Sequence, residues 1–324
     1  MRAVCVIGLG LIGGSVLRAA VAGGRRAWGA TAAEDDAVAA RAEGFEVEPS
    51  VVDALRRAAA EDAMVVLAVP LTAVDGVLRK VGEHAPECVL TDVVSVKGPV
   101  ADAVARHAPA ARFAGGHPMA GAAVSGWANS SAELFRGAAW VVTADEDTDT
   151  GVWREVVELA LASGAHVVPT TSDDHDAAVA RISHLPHVLA AVLAACGAEG
   201  GPLALALAAG SFGDGTRVAG SRPELVLAMC EGNRSALLAA VDDALGRLGA
   251  ARGALASTGA LRATVLAGHA GRSALTAQHA AGRARVVVDL AEPGAFDQLR
   301  LVGEQGGRVT ALEGTTVVAA VPVG

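Results

Sequence analysis

His117 lies in Gly115-Gly116-His117-Pro118-Met119-Ala120-Gly121, and Ser95 lies in Thr91-Asp92-Val93-Val94-Ser95-Val96-Lys97-Gly98. Both segments follow short apolar runs read as strands, and open parallel sheets bind ligands at the carboxyl ends of their strands. A histidine placed there suits proton transfer near neutral pH. The plainer alternative is a loop histidine capping a turn. A third segment, Ile182-Ser183-His184-Leu185-Pro186-His187, opens a region of helical periodicity. His184 and His187 are three apart and share a helical face. Both are therefore candidates to line a cleft, with Asp176 and Ser183 flanking that face to orient them. Packing is the competing explanation, and it weighs more on His184. An H-x-x-H pair can also hold a metal, but no carboxylate or cysteine motif offers a third ligand, so no metal is expected.

The residues that would hold a cofactor come first in the chain. Val4-Cys5-Val6-Ile7 runs into Gly8-Leu9-Gly10-Leu11-Ile12-Gly13-Gly14-Ser15, a G-x-G-x-x-G between a first strand and a helix, as dinucleotide binding requires. Gly8 permits the tight turn, Gly10 removes a side chain from the path of a pyrophosphate, and Gly13 lets helix and strand pack closely. The amides of Leu11 and Ile12 at the helix start then face the phosphates. Glycine is frequent here, 39 of 324 residues, so the position of the triplet carries more weight than its presence. The second strand ends at Gly29-Ala30-Thr31, where an acid usually takes the ribose hydroxyls. Thr31 neither repels nor grips a 2′-phosphate, and Glu34 is near enough to serve a ribose, so NAD is favoured with NADP possible. Val69-Pro70 ends a further strand and should face the nicotinamide side.

These groups need a scaffold, and the hydrophobic pattern supplies one. From residue 1 to about 145, apolar runs at 3–7, 27–30, 64–69, 88–92, 112–115 and 139–143 alternate with alanine-rich helical stretches. That is the pattern of a parallel sheet covered on both faces. The acidic run 145–149 reads as a solvated hinge. A strand-like run at 166–169 precedes a helical region, in which 224–256 suits one long helix able to pack against a second copy. From Arg283 the pattern reads βαββ. The expectation is thus a Rossmann-type dinucleotide-binding domain over 1–149, an all-helical dimerisation and substrate domain over 150–282, and a short C-terminal βαββ segment over 283–324.

Composition narrows the function classes. A net charge of −9 argues against a nucleic-acid partner. Four scattered cysteines, Cys5, Cys88, Cys196 and Cys230, suit reduced, buried thiols better than disulfides or zinc. Apolar runs such as 185–198 fall short of the ~20 residues a membrane helix needs. Glycines and serines at 8–15 fit a phosphate turn better than a secretory leader. A cytoplasmic, soluble chain is expected, with a small-molecule substrate and a homodimer formed through the helical domain.

Taken in order, the motifs closely resemble those of the prephenate/arogenate dehydrogenase family of tyrosine biosynthesis. They are G-L-G-L-I-G-G-S, T-D-V-V-S-V-K-G, G-G-H-P-M-A-G, L-F-R-G at 134–137, S-H-L-P-H, Asp214-Gly215-Thr216-Arg217 and Asn233-Arg234. The resemblance covers about residues 1–255. It implies that His117 is the catalytic base, that Ser95 hydrogen-bonds the same part of the substrate, and that Arg217 holds a substrate carboxylate. It further implies oxidative decarboxylation of prephenate or arogenate, and it gives the tail the look of half an ACT-type regulatory domain. Pro223-Glu224 stands where the family often has tryptophan, which keeps 4-amino-4-deoxyprephenate open as an alternative substrate. A β-hydroxyacid or imine-reducing dehydrogenase would use a lysine from the helical region, and 173–281 contains none. A non-catalytic dinucleotide sensor is the third reading.

Overall fold

The computed structural model describes residues 1–121 and 124–323. They group into two units: Met1–His175 with Arg283–Pro322, and Asp176–Gly282 with Val323.

In the first unit, strands β1 (Val4–Ile7), β2 (Ala27–Ala30), β3 (Met64–Leu67), β4 (Val89–Asp92) and β5 (Arg112–Phe113) form a parallel sheet in the order β2-β1-β3-β4-β5. Every residue of β1 to β4 is buried, which follows from helices lying on both faces and explains runs that are apolar throughout. The helices between them are α1 (Leu11–Ala22), α2 (Glu34–Ala42), α3 (Val51–Ala60), α4 (Leu71–His84) and α5 (Gly98–His107).

A second sheet of six strands adjoins it within the same unit. It starts with β6 (Gly116–Pro118) and β7 (Ala139–Thr143), passes α6 (Thr150–Ala162), and continues through β8 (His166–Thr170) into helix α7 (Ser172–Val179). The strand β6, which carries His117, lies where a loop was expected. It pairs antiparallel with β7, His117 opposite Val141.

The acidic run read as a hinge has a different task. Asp149 accepts a hydrogen bond from the Val152 amide and caps α6. Asp145 accepts from the amide and the hydroxyl of Ser172, both at 2.7 Å, and caps α7. Two carboxylates at helix starts are stabilising N-caps, so the first unit continues past 149 to His175.

The second unit is helical. After a π-type turn at Ala180–His184 come α8 (Leu185–Glu199), α9 (Gly201–Ala206), α10 (Gly210–Thr216), α11 (Pro223–Gly232), α12 (Arg234–Ser257) and α13 (Arg262–Ala280). The single helix expected over 224–256 is two, broken at Asn233, whose side chain is engaged elsewhere. Helices α8 to α13 leave many large apolar side chains exposed, among them Val192, Leu203, Leu238, Leu245, Leu248 and Leu266. The continuous helical run Ser172–Glu199 is long and apolar enough to cross a membrane by length and composition, with 22% of its apolar window buried. Sequence runs had put the limit at 14 residues, because charges at 173–181 interrupt the pattern without interrupting the helix.

The tail returns to the first unit as β9 (Arg283–Asp289), α14 (Ala295–Glu304), β10 (Arg308–Glu313) and β11 (Thr316–Pro322). The βαββ order is as expected, but it is not a separate body. Strand β10 pairs with β8 through Val309 and Val167, completing the order β6-β7-β8-β10-β11-β9. Leu299, Val302, Val309 and Val317 share one core with Trp140, Trp153 and Val167, burial that a free-standing 40-residue piece does not reach.

Candidate active site

The glycine turn is built as the triplet demands. Gly8 has φ +101°, and a Cβ on it would stand 2.4 Å from the Ala68 carbonyl oxygen and 3.1 Å from Val69 Cγ1, so β1 must leave this point as glycine. A Cβ on Gly13 would lie 1.9 Å from the Gly8 oxygen. Around Gly10 nothing comes within 4 Å of where a Cβ would be, which is the open approach a diphosphate needs. Gly10 is also the N-cap of α1, and it has no side-chain cap and no acid in the first turn. The amides of Leu11 and Ile12 therefore begin the helix with its positive end uncompensated. The donor set fits a dinucleotide.

Gly13→Ala should lower Tm and abolish dinucleotide binding together, since overpacking of this kind costs about 1–3 kcal/mol or more. Gly10→Ala should leave Tm within a degree or two and still weaken dinucleotide binding about tenfold or more. Equal melting losses in the two variants would contradict this account of the turn.

Thr31 is half-buried and its hydroxyl accepts from the Ala33 amide at 3.2 Å, which fixes the turn into α2. Glu34 is exposed in the first turn of α2, and Pro70 is exposed as the N-cap of α4.

His117 sits on a braced support. Lys97 and Asp92 are 1% and 0% exposed and form an ion pair. Lys97 Nζ also donates to the Gly116 carbonyl at 2.7 Å. Asp92 accepts from the Val94 amide at 2.8 Å and the Gly116 amide at 3.3 Å. Both backbone groups of Gly116, the residue before His117, are thereby tied to the buried pair. Burial pushes the Asp92 carboxyl up, and Lys97 and the two amides oppose that shift. Ser95 lies half-buried in the turn between Asp92 and Lys97.

The sequence did not disclose His175. It is 2% exposed on α7, and its Nε2 lies 2.8 Å from His117 Nδ1, with the rings edge to face at 78°. A histidine whose Nδ1 is engaged presents Nε2 as its other working nitrogen. The motif Asp173-Asp174-His175-Asp176 looks like an ordinary acidic helix start, so its only signal was a histidine among N-terminal acids.

In the second unit His184 is 1% exposed, and its Nδ1 accepts from Asn233 Nδ2 at 3.1 Å. The same Asn233 amide donates to the Asp176 carbonyl at 2.7 Å. Asn233 thus ties α12 to the π-type turn and packs His184 against it, the alternative weighed for that histidine beside a place in a cleft. Asp176 is buried and contributes its carbonyl to this junction. His187, half-buried, donates from Nδ1 to the Ser183 carbonyl at 2.8 Å. The Ser183 hydroxyl contacts Met229 Sδ at 3.9 Å. Arg217 begins a 3₁₀ turn, exposed and with no acid paired to it among the described residues. His117, Ser95 and His175 belong to the first unit, and His187 and Arg217 to the second.

Cys5 and Cys88 are buried, with the Cys88 thiol pushed up to about 12 by burial. Cys230 is half-buried and Cys196 exposed, so two of the four depart from the buried state expected of all. Among the described residues no group of three His, Cys, Asp or Glu side chains is placed to hold a metal.

The family model described as "Prephenate dehydrogenase, nucleotide-binding domain" matches residues 23–169, and "Prephenate dehydrogenase, dimerization domain" matches 171–260. The glycine turn precedes the first span, and the boundary between the two falls near α7. A prephenate dehydrogenase of Bacillus subtilis is 33% identical over 250 residues, 74% of this chain and 66% of that protein. The match therefore spans just under two thirds of that relative's length. A provisionally named prephenate dehydrogenase of Corynebacterium glutamicum is 45% identical with TM-score 0.88, covering 95% of this chain and 98% of that one. Synechocystis arogenate dehydrogenase is 29% identical with TM-score 0.72, covering 84% of this chain and 99% of that one.

Proposed function

Because the chain belongs to the prephenate dehydrogenase family, we propose that it oxidatively decarboxylates prephenate or arogenate. The products would be 4-hydroxyphenylpyruvate or tyrosine. NAD is the favoured oxidant, with NADP possible, since Thr31 neither repels nor grips a 2′-phosphate and Glu34 is near enough in sequence to serve a ribose. When bound, the nicotinamide accepts the hydride. His117 takes the proton of the ring hydroxyl on Nε2, and the carbonyl that forms draws the ring–carboxylate bonding electrons inward as carbon dioxide leaves. Ser95 hydrogen-bonds the same oxygen, and Arg217 and His187 hold the retained carboxylate or amino-acid head.

One observation carries this reading: the 2.8 Å contact of His117 Nδ1 with His175, on a strand anchored by Lys97 and Asp92. A histidine with one nitrogen engaged by a buried partner is oriented for proton transfer at the other, whereas a ligand sensor has no use for that arrangement. The apolar faces of α8 to α13 support a homodimer through the helical unit, and four unpaired cysteines suit the cytoplasm.

Reduced-dinucleotide formation, followed by absorbance with prephenate and then arogenate, each with NAD+ and NADP+, tests the activity. Turnover is expected with at least one pairing; silence in all four would remove the proposal. Sedimentation should give twice the 32.1 kDa chain mass, and a monomer at micromolar concentration would remove the dimer.

A further inference from the structure

The amino-terminal edge of the parallel sheet, opposite the glycine turn, holds a cavity of about 880 Å³. Arg2 and Ala3 precede β1, Gly24 to Arg26 precede β2, Asp62 precedes β3, and α6 closes the side with Arg154, Glu155 and Glu158. Strand β1 separates this cavity from Gly8.

Of the four arginines that line the cavity, three are paired with carboxylates. Arg2 pairs with Glu155 at 2.8 Å and with Asp62. Arg26 pairs with Glu61, which also takes Arg57 at 3.1 Å. Arg154 pairs with Glu158 at 3.3 Å. Arg25 is 7% exposed, and its Nε and Nη2 are buried with no hydrogen-bond partner among the described residues. Glu158 and Glu155 act on it through space, while burial draws its guanidinium below the ordinary value. A guanidinium does not shed its charge at physiological pH, and burying one without a counter-ion is costly. Among the described residues no carboxylate stands within ion-pair distance of Arg25, and the nearest acids, Glu155 and Glu158, are paired with Arg2 and Arg154.

We infer that this cavity is an anion site, in which a small oxyanion, the carboxylate or phosphate group of a metabolite, is bound by Arg25. Nε and Nη2 are enclosed, so Nη1 is the donor that an oxyanion in the cavity can reach, and the fixed charge of the guanidinium suits either group. The inference stands apart from the proposed reaction, because no residue of the cavity belongs to the active site described above.

The test is calorimetric titration of the full chain with malonate and, separately, with inorganic phosphate. Sodium chloride at matched ionic strength serves as the control, and NAD+ is present throughout so that phosphate meets an occupied glycine turn. Saturable binding of one anion or both is expected, and which one binds names the group. Arg25→Met should weaken it by about 10- to 100-fold, the worth of one or two charge-assisted hydrogen bonds. That variant should also melt no lower than the parent in anion-free buffer, because it removes a buried charge and keeps most of the volume. Arg25→Lys should retain part of the affinity. Heats no different from chloride would mean that water alone satisfies Arg25 and would overturn the proposal, as would equal anion binding by Arg25→Met.

Discussion

His117→Asn should lower turnover by about 100-fold or more, the usual worth of a positioned general base, while leaving the Kd for dinucleotide and the melting temperature close to those of the parent. Asparagine can still hydrogen-bond His175, and the strand pairing of residue 117 with Val141 is a backbone matter. Fold and cofactor site should therefore persist, and what is lost is a nitrogen that takes up a proton. The measurement is kcat with whichever substrate turns over, beside dinucleotide affinity by fluorescence. An unchanged kcat would overturn the role of His117. A loss of kcat matched by loss of dinucleotide binding would point to collapse of the site. His175→Gln separates orientation from chemistry: glutamine can accept at a comparable reach, so kcat should fall by less than in His117→Asn.

The second large effect concerns the buried pair beneath that histidine. Lys97→Met should destabilise the chain by about 3–5 kcal/mol, because it strands the Asp92 carboxylate at 0% exposure without its cation. At the scale of domains this size, that is a Tm drop on the order of 10 °C. Removing both charges in Lys97→Met/Asp92→Leu should recover a good part of the loss, since an apolar pair avoids the cost of burying ions. Activity should not recover with it, because both variants release the Gly116 carbonyl that Lys97 holds at 2.7 Å. Thermal melts and kcat on the three proteins decide this. If Lys97→Met melts within about 2 °C of the parent, the pair contributes far less than its burial implies.

What could be read in the residues and what could not divide on physical lines. Gly8, Gly10 and Gly13 were legible because each answers a separate local demand: a positive φ, an open approach, a helix packed onto a strand. Strands β1 to β4 were legible because burial on both faces leaves no polar alternation. His175 was hidden because its partner is 58 residues away and the strand that brings them together, β6, has three residues and ends in proline. Asn233 was hidden for a similar reason. Nothing near it in sequence reveals that its amide would bridge Asp176 and His184, so 224–256 read as an uninterrupted helix. The tail was correct in its elements and misplaced in its allegiance, since a strand's own pattern says that it is a strand and not which strand it will lie beside.

That allegiance sets an order of events during synthesis. The sheet carrying the glycine turn has all five of its strands once residue 113 has emerged, and it can mature while the ribosome is still at work. The sheet bearing His117 cannot: three of its six strands lie beyond residue 282, with the whole helical unit translated in between. The nucleotide platform would thus be in place long before His117 is finally seated, and a message cut short after residue 282 would yield a protein with the first and without the finished second.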